Sequence, residues 1–269
     1  MKRAVIPSAG RGTRMKPFSR SVPKELVPLG SVPALHLVVR EAVEAGLTEI
    51  ALVLRPGKEI LLESLEELRK GWSTGFELLP ILQERPTGLA DALSLCREFV
   101  AGESFALLLP DNVLPAREHE LSRMITLHQR EGLPVSGVLE LSPEHSGLYG
   151  NSGRFRGEEI EEGIWQIDRL EPKGRGRLEI PPGGTVRRTC GRSVLTPDLF
   201  DRIERVRPTV HGECSEVPVF RELAREGRLL GLRLESPLFD VGHPRGVAAA
   251  GAWLAADPRR LERLLEIFG

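Results

Sequence analysis

Apolar runs of strand length alternate along the chain with stretches whose apolar residues recur every three or four positions, the pattern of a sheet covered by helices. Ala4-Val5-Ile6 opens the series as a strand. Leu35, Val38, Val39, Ala42 and Val43 then line one helical face, and Gly46 stands where a C-terminal cap belongs. Ile50-Ala51-Leu52-Val53-Leu54 follows as an unbroken apolar run, as expected for a strand buried on both faces. The same alternation predicts a helix near Lys58–Lys70, a strand near Phe76–Leu82, a helix near Gly88–Phe99 and the strand Phe105–Leu109. A further helix carries Leu121, Met124 and Ile125 on one face, and Val135–Leu141 reads as another strand, which together describe a doubly wound sheet.

The texture changes between Ser146 and Gly184, where glycines, short alternating runs and charge favour hairpins inserted into or appended to the sheet. Leu229–Leu234 is strand-like again, and Asp257-Pro258 supplies a cap and first residue for a terminal helix bearing Leu261, Leu264, Leu265 and Phe268. The fold class this implies is α/β: a Rossmann-like mixed, mainly parallel sheet flanked by helices, with a small β-rich subdomain. No linker, internal repeat or low-complexity tract divides residues 1–269, so a single domain is expected.

Composition narrows the function classes. The chain has 269 residues, 41% hydrophobic and 28% charged, which is ordinary globular usage. A formal net charge of −1 argues against a protein that coats nucleic acid or an anionic membrane. Cys96, Cys190 and Cys214 are widely spaced with no CxxC, suggesting idle thiols in a reducing compartment rather than disulfides or zinc. The apolar run after Met1-Lys2-Arg3 stops at Pro7, too short for a signal-peptide core, and Val247–Ala256 is about half the length of a membrane span. A cytoplasmic protein is expected. The six histidines show no close metal-ligand spacing, and the arginines of 202–207 and 258–263 read as solvated helix faces.

Charge is distributed unevenly in one place. Arg11, Arg14, Lys16, Arg20 and Lys24 all precede the first acidic residue, Glu25, in a chain that is otherwise nearly neutral. With Gly10 and Gly12 directly after the first strand, backbone N–H groups there could face an anion without a side chain intervening. The segment matches neither GxGxxG nor GxxxxGK[ST], so it belongs to another phosphate-binding design or is a glycine turn with solvated cations. Asp111, after the strand 105–109, stands at the carboxyl end where open α/β sheets bind ligands; on position alone a turn cap is as good an explanation.

The order of residues goes further. A strand, Ala9-Gly10-Arg11-Gly12-Thr13-Arg14, Pro17 and Pro23-Lys24-Glu25 resemble the GxGTRxxP…PKE signature of the sugar-1-phosphate nucleotidylyltransferases. The resemblance spans Ala4 to about Gly251 and is closest to the bacterial UTP–glucose-1-phosphate uridylyltransferases, from the PKE, Pro110-Asp111 and Asp240–Gly246 patterns. It implies that residues 1–141 bind nucleotide, 142–256 bind sugar and 257–269 form a C-terminal helix. It further implies transfer of a nucleoside monophosphate, most simply UMP, from a nucleoside triphosphate to a sugar 1-phosphate such as glucose 1-phosphate, without a nucleophilic side chain.

Residue by residue, the resemblance implies that Ala9, Gly10, Gly12, Thr13 and Arg14 hold the triphosphate and that Lys24 neutralises the reacting phosphates. Asp111 and Asp240 correspond to the aspartates that ligate Mg²⁺ in the family's LPD and D(V/I/C)G motifs, a donor set of hard oxygens that suits this ion. Gln83, ahead of Gly88-Leu89-Ala90, corresponds to a base-reading glutamine, whose amide can both donate to and accept from uracil or thymine. Tyr149-Gly150 resembles the family's sugar-side YG, with Gly150 as the close-approach site. The sugar side departs from the pattern elsewhere: where the family has EKP, Arg169-Leu170-Glu171-Pro172-Lys173 puts Glu171 at the lysine position and leaves Lys173 as the substitute. The family's GDE-type stretch survives only as Gly212-Glu213-Cys214-Ser215-Glu216. A dTTP-dependent thymidylyltransferase and a non-catalytic nucleotide-sugar sensor both stay open on these residues. The apolar 247–256 stretch and the terminal helix could pair subunits into a homo-oligomer or cover the sheet.

Overall fold

The unbroken apolar runs lie at the centre of the sheet because both of their faces are covered. The computed structural model describes residues 1–72, 75–115, 119–174, 176–206 and 214–266; Arg207, His211, Gly212, Glu213 and Phe268 lie outside the described residues. The first half comprises β1 (Arg3–Pro7), the small hairpin β2 (Pro28–Leu29) and β3 (Val32–Pro33), α1 (Ala34–Glu44), β4 (Glu49–Leu54), α2 (Ile60–Gly71) and β5 (Glu77–Leu82). It continues with α3 (Leu89–Ser94), α4 (Arg97–Val100), β6 (Phe105–Leu108), β7 (Asn112–Val113), α5 (Glu120–Glu131) and β8 (Val135–Leu141). The second half adds β9 (Phe155–Glu161), β10 (Ile164–Leu170), β11 (Val186–Leu195), α6 (Leu199–Val206) and α7 (Val217–Arg225). The chain then runs through β12 (Leu230–Arg233), β13 (Phe239–Asp240), α8 (Pro244–Ala255) and α9 (Pro258–Glu266).

Nine of these strands form one sheet in the order β5-β4-β1-β6-β11-β8-β12-β10-β9. β1 runs parallel to β4 and β6, β4 to β5, and β8 to β12, while β11 and the β9–β10 hairpin run antiparallel to their neighbours, so the sheet is mixed. Successive residues of a strand face opposite sides. Ala4, Ile6, Ile50, Leu52, Ala106 and Leu108 therefore join one core with residues of α1, α2, α5 and α8. Val5, Ala51, Val53, Phe105 and Leu107 join the other with residues of α3, α6 and α7.

The glycine-rich stretch supplies the β9–β10 hairpin, appended to one edge of the sheet. That edge is exposed and carries Glu158, Glu159 and Glu161, and the opposite edge strand contains Pro80, two devices that discourage pairing with another chain. The single helix expected near Gly88–Phe99 is broken into α3 and α4, because Cys96 N–H donates three residues back to Leu93 O and tightens the turn. Arg202 is not on a solvated face: it is buried and donates to Asp198 and Glu226 across α6 and the end of α7. α8 packs against β2, β13 and α9 with Ala250 and Leu254 buried, and among the described residues no helix is long and apolar enough to cross a membrane.

Candidate active site

β4 and β6 flank β1 on opposite sides, so the loops that follow β1 and β6 diverge at the carboxyl ends of the strands and leave a crevice there. The crevice has two chambers. The larger, about 750 Å³, is lined by Ala9, Gly10, Gly12, Thr13, Arg14, Lys24, Gln83, Gly88 and Asp111. The smaller, about 290 Å³, is lined by Arg14, Asp111, Gly150, Glu171, Lys173, Arg188 and Asp240. The residues singled out in the sequence thus fall into two groups, one per chamber, and Arg14 and Asp111 belong to both.

Local backbone pairing brings the two aspartates together. β7 and β13 form a two-residue antiparallel ladder with Asn112 opposite Asp240, and Val241 N–H donates to Asp111 O at 2.8 Å. Lys24, on the short helical turn Lys24–Leu26, donates to Asp111 Oδ2. Arg14 reaches Asp111 Oδ2 at 3.4 Å and Asp240 Oδ2 at 3.5 Å, long contacts for a guanidinium whose side chain is 55% exposed. Asn112 Nδ2 donates to Asp111 Oδ1 at 3.0 Å. Burial alone would raise the Asp111 pKa, but Lys24, Arg14 and Asn112 outweigh it and hold the carboxyl at about 2. Burial likewise opposes charge on Lys24, and Asp111 and Glu25 overcome it, so its pKa lies above the ordinary lysine value.

Gly242 is where the carboxylates need room. A Cβ there would lie 2.5 Å from Asp111 Oδ2 and 2.9 Å from Asp240 Oδ1, while the Gly242 N–H donates to Asp240 Oδ1 at 3.0 Å. These oxygens and Arg14 Nη2, 2.8 Å from the same Cβ, are all ends of side chains that can shift, so Gly242→Ala is expected to fold with a near-native melting temperature. The displaced carboxylates should cost activity on the order of 100-fold in kcat, the penalty for an ångström-scale misplacement. Thermal melting and turnover measured on the same preparation check this pair of outcomes.

Gln83 follows β5, anchored by its N–H to Leu54 O, and is 3% exposed. Its Nε2 donates to Gly88 O at 3.2 Å and Asp91 Oδ2 at 3.0 Å; the Asp91 carboxylate accepts only, which orients the amide. Both donors are therefore used within the protein, a narrower role than the donor-and-acceptor one expected from sequence. Gly88 itself is required by backbone: its φ is +125° and a Cβ would lie 2.3 Å from Cys214 O.

On the smaller chamber's side, Tyr149 is buried and its hydroxyl donates to Leu238 O at 2.5 Å. Glu171 pairs with Arg154 at 3.5 Å and Arg156 at 3.2 Å, and Lys173 is exposed. Cys190 also lines this chamber, but burial pushes its pKa up to about 11, so it is a thiol at neutral pH.

Arg188 and Arg192 lie outside every motif, and Glu216 and Glu25 lie in motif stretches that assigned them no role. Arg188 and Glu216 line the chambers, Glu216 both of them. Arg192, fully buried, donates to Glu41, to Leu109 O at 3.1 Å and to Asn112 O at 2.6 Å, clamping both ends of the segment that carries Asp111. Lys58 Nζ donates to both Glu25 carboxylate oxygens at 2.9 Å and to Ser8 O at 2.6 Å, tying the loop after β1 to the 24–26 turn. Charged residues in strands or next to motif lysines carry no local signal of such partners, since the partners are distant in sequence.

Residues 3–147 match the family model described as Nucleotidyl transferase. The UTP–glucose-1-phosphate uridylyltransferase of Pseudomonas aeruginosa (strain PAO1) is 28% identical over 270 residues, covering 93% of this chain and 94% of that one. The enzyme of the same name from Bacillus subtilis (strain 168) is 27% identical over 295 residues, covering 100% and 96%. A crystal structure of a UDP-glucose pyrophosphorylase complexed with UDP-glucose superimposes with a TM-score of 0.80 at 25% identity, covering 96% of this chain and 100% of that one. UTP-bound UGPase from Acinetobacter baumannii superimposes with a TM-score of 0.77 at 25% identity, covering 99% and 98%.

Proposed function

The chain belongs to the nucleotidyl transferase family, and from that premise we propose that it transfers a uridylyl group from UTP to a hexose 1-phosphate, glucose 1-phosphate first among them. The observation that carries the proposal is a pair of chambers, one with a glycine and cation loop and one beside Gly150 and Glu171, that meet at Arg14 and Asp111. A triphosphate in the larger chamber and a sugar phosphate in the smaller would bring their reacting phosphates to that shared point. An oxygen of the sugar phosphate attacks the α-phosphorus, a new P–O bond forms, the bond to the β-phosphate breaks and pyrophosphate leaves.

The residues at the junction position and neutralise charge. The loop at Gly10–Thr13 offers backbone N–H groups to the phosphates. Lys24 and Arg14 can turn from the carboxylates to phosphate oxygens, stabilising charge as it moves toward the leaving pyrophosphate. Asp111 and Asp240 would hold a divalent cation such as Mg²⁺: both are oxygen donors, the missing side chain of Gly242 leaves the space between them, and Arg14 already spans them as a cation. Bound there, the metal supplies charge compensation between two anionic substrates that would otherwise repel each other.

Base choice follows from Gln83. With both amide donors held, its Oε1 remains to accept a hydrogen bond, which fits the N3–H of uracil or thymine and not the acceptor nitrogen of cytosine. Gln83→Ala is expected to raise the UTP KM about tenfold, the loss of one hydrogen bond, and to narrow the preference for UTP over CTP. dTTP offers the same N3–H, so a thymidylyltransferase is the second reading.

The test is pyrophosphate release with Mg²⁺, glucose 1-phosphate and each of UTP, dTTP, CTP, ATP and GTP. Turnover with UTP foremost supports the proposal, and equal or faster turnover with dTTP replaces it by the second reading. Thermal stabilisation by UTP with no pyrophosphate from any sugar phosphate would reject it in favour of a nucleotide sensor.

A further inference from the structure

We infer that Arg188 is the residue that receives the phosphate of the acceptor in the smaller chamber, an inference that rests on the transfer reaction proposed above. A sugar 1-phosphate brings about two negative charges into a chamber already lined by Asp111, Asp240, Glu171 and Glu216. It needs a cation on the side away from the triphosphate. Among the described residues, the chamber is lined by three arginine or lysine side chains: Arg14, Lys173 and Arg188.

Arg14 belongs to the junction, where it spans both aspartates. Lys173 is exposed, and it lies two residues from Glu171, whose negative charge is directed to Arg154 and Arg156. Arg188 differs from both. It projects from β11, its guanidinium carbon sits 5.2 Å from the centroid of the Tyr149 ring, and that ring is itself fixed by the hydroxyl contact to Leu238 O. Its Nε is closed off from solvent without a hydrogen-bond partner, and among the described residues it has no ion-pair partner.

An arginine held without a counter-ion in a partly closed chamber is unfavourable until an anion arrives. Its planar fork matches phosphate oxygens in a bidentate arrangement that a lysine does not reproduce, and stacking on Tyr149 removes conformational freedom before the ligand binds. Burial, with Arg14 adding to it, holds the Arg188 pKa below the ordinary arginine value, although Cys190, Asp240 and Tyr149 act in the other direction. A phosphate placed between Arg14 and Arg188 relieves that repulsion and presents an oxygen toward the junction with the larger chamber.

The experiment is steady-state pyrophosphate release by the full chain and by Arg188→Gln, Arg188→Lys and Lys173→Ala, with UTP and glucose 1-phosphate varied separately and melting temperatures recorded. Arg188→Gln should raise the KM for glucose 1-phosphate on the order of 100-fold and leave the KM for UTP within about twofold. Arg188→Lys should recover part of that loss, and Lys173→Ala should raise the glucose 1-phosphate KM by at least about tenfold less than Arg188→Gln does; an equal or larger rise in Lys173→Ala transfers the assignment to Lys173 and overturns it. An unchanged glucose 1-phosphate KM in Arg188→Gln overturns the assignment and leaves the proposed reaction standing. So does a joint rise in both KM values with a lowered melting temperature in both Arg188 variants, which would mark a packing residue. Absence of turnover by the unsubstituted chain with any sugar phosphate overturns the reaction itself, and the assignment with it.

Discussion

Asp111→Asn is expected to lower kcat for pyrophosphate release on the order of 10³-fold, with UTP still raising the melting temperature. The carboxylate lies on both chambers, accepts from Lys24 and Arg14, and is joined through the β7–β13 ladder to Asp240. Asparagine keeps the volume but removes the charge that sets two cations and, in the proposed reaction, half of the metal-binding pair. Ground-state nucleotide binding should survive because the loop N–H groups and Arg14 remain. A single-turnover assay beside a UTP-dependent melting shift separates the two effects; a variant retaining a tenth of the parent rate would remove Asp111 from the reacting centre. The pH dependence has a definite sign. The folded pKa of about 2 lies below the unfolded value near 3.9, so the ion pairs of Asp111 stabilise the fold fully above about pH 4 and are lost as pH falls toward 2.

Lys58→Met carries the largest expected effect on stability, a loss of about 3–5 kcal/mol in urea unfolding, because it strands a carboxylate away from water. Glu25 is fully buried and Lys58 is 3% exposed, and the Glu25 oxygens have Lys58 Nζ at 2.9 Å. Burial pulls the Lys58 pKa down, and Glu25 only partly offsets it, so the pair is held together by mutual need rather than by surplus attraction. Replacing both partners, Lys58→Met with Glu25→Leu, should therefore recover most of the stability. It should not recover the rate, since Lys58 also holds Ser8 O and Glu25 adjoins Lys24. A double variant as unstable as the single one would show that the loss comes from packing and not from the unpaired charge.

How far the sequence could be read depended on the range of the interaction involved. The buried strands and amphipathic helices of the first half were legible because periods of two and of three to four residues report burial locally. The stretch Val186–Leu195 was not, since its arginines hide a strand whose buried member, Arg192, is neutralised by Glu41 from α1. For the same reason Arg202 passes for a surface residue until α7 brings Glu226 to it. At the site, the loop after β1 that lines the larger chamber was legible as glycines and cations following a strand. The smaller chamber was not: Glu171 and Lys173 do line it, but Glu171 is engaged by arginines, and Arg188, a half-buried cation on that chamber with no ion-pair partner among the described residues, stands in a stretch that resembles no motif.

The sequence alone determined the alternation of strands and helices, the glycine and cation loop after β1, and the identity of the two aspartates, because each is encoded by neighbours within a few residues. Tertiary structure alone decided how Asp111 and Asp240 are brought together through the β7–β13 ladder, that Glu25 answers Lys58, that the donors of Gln83 are already used, and that Arg188 lines the smaller chamber. These depend on strand order and register, which place distant residues within a few ångströms, and electrostatic and steric energies are set by that distance and by burial.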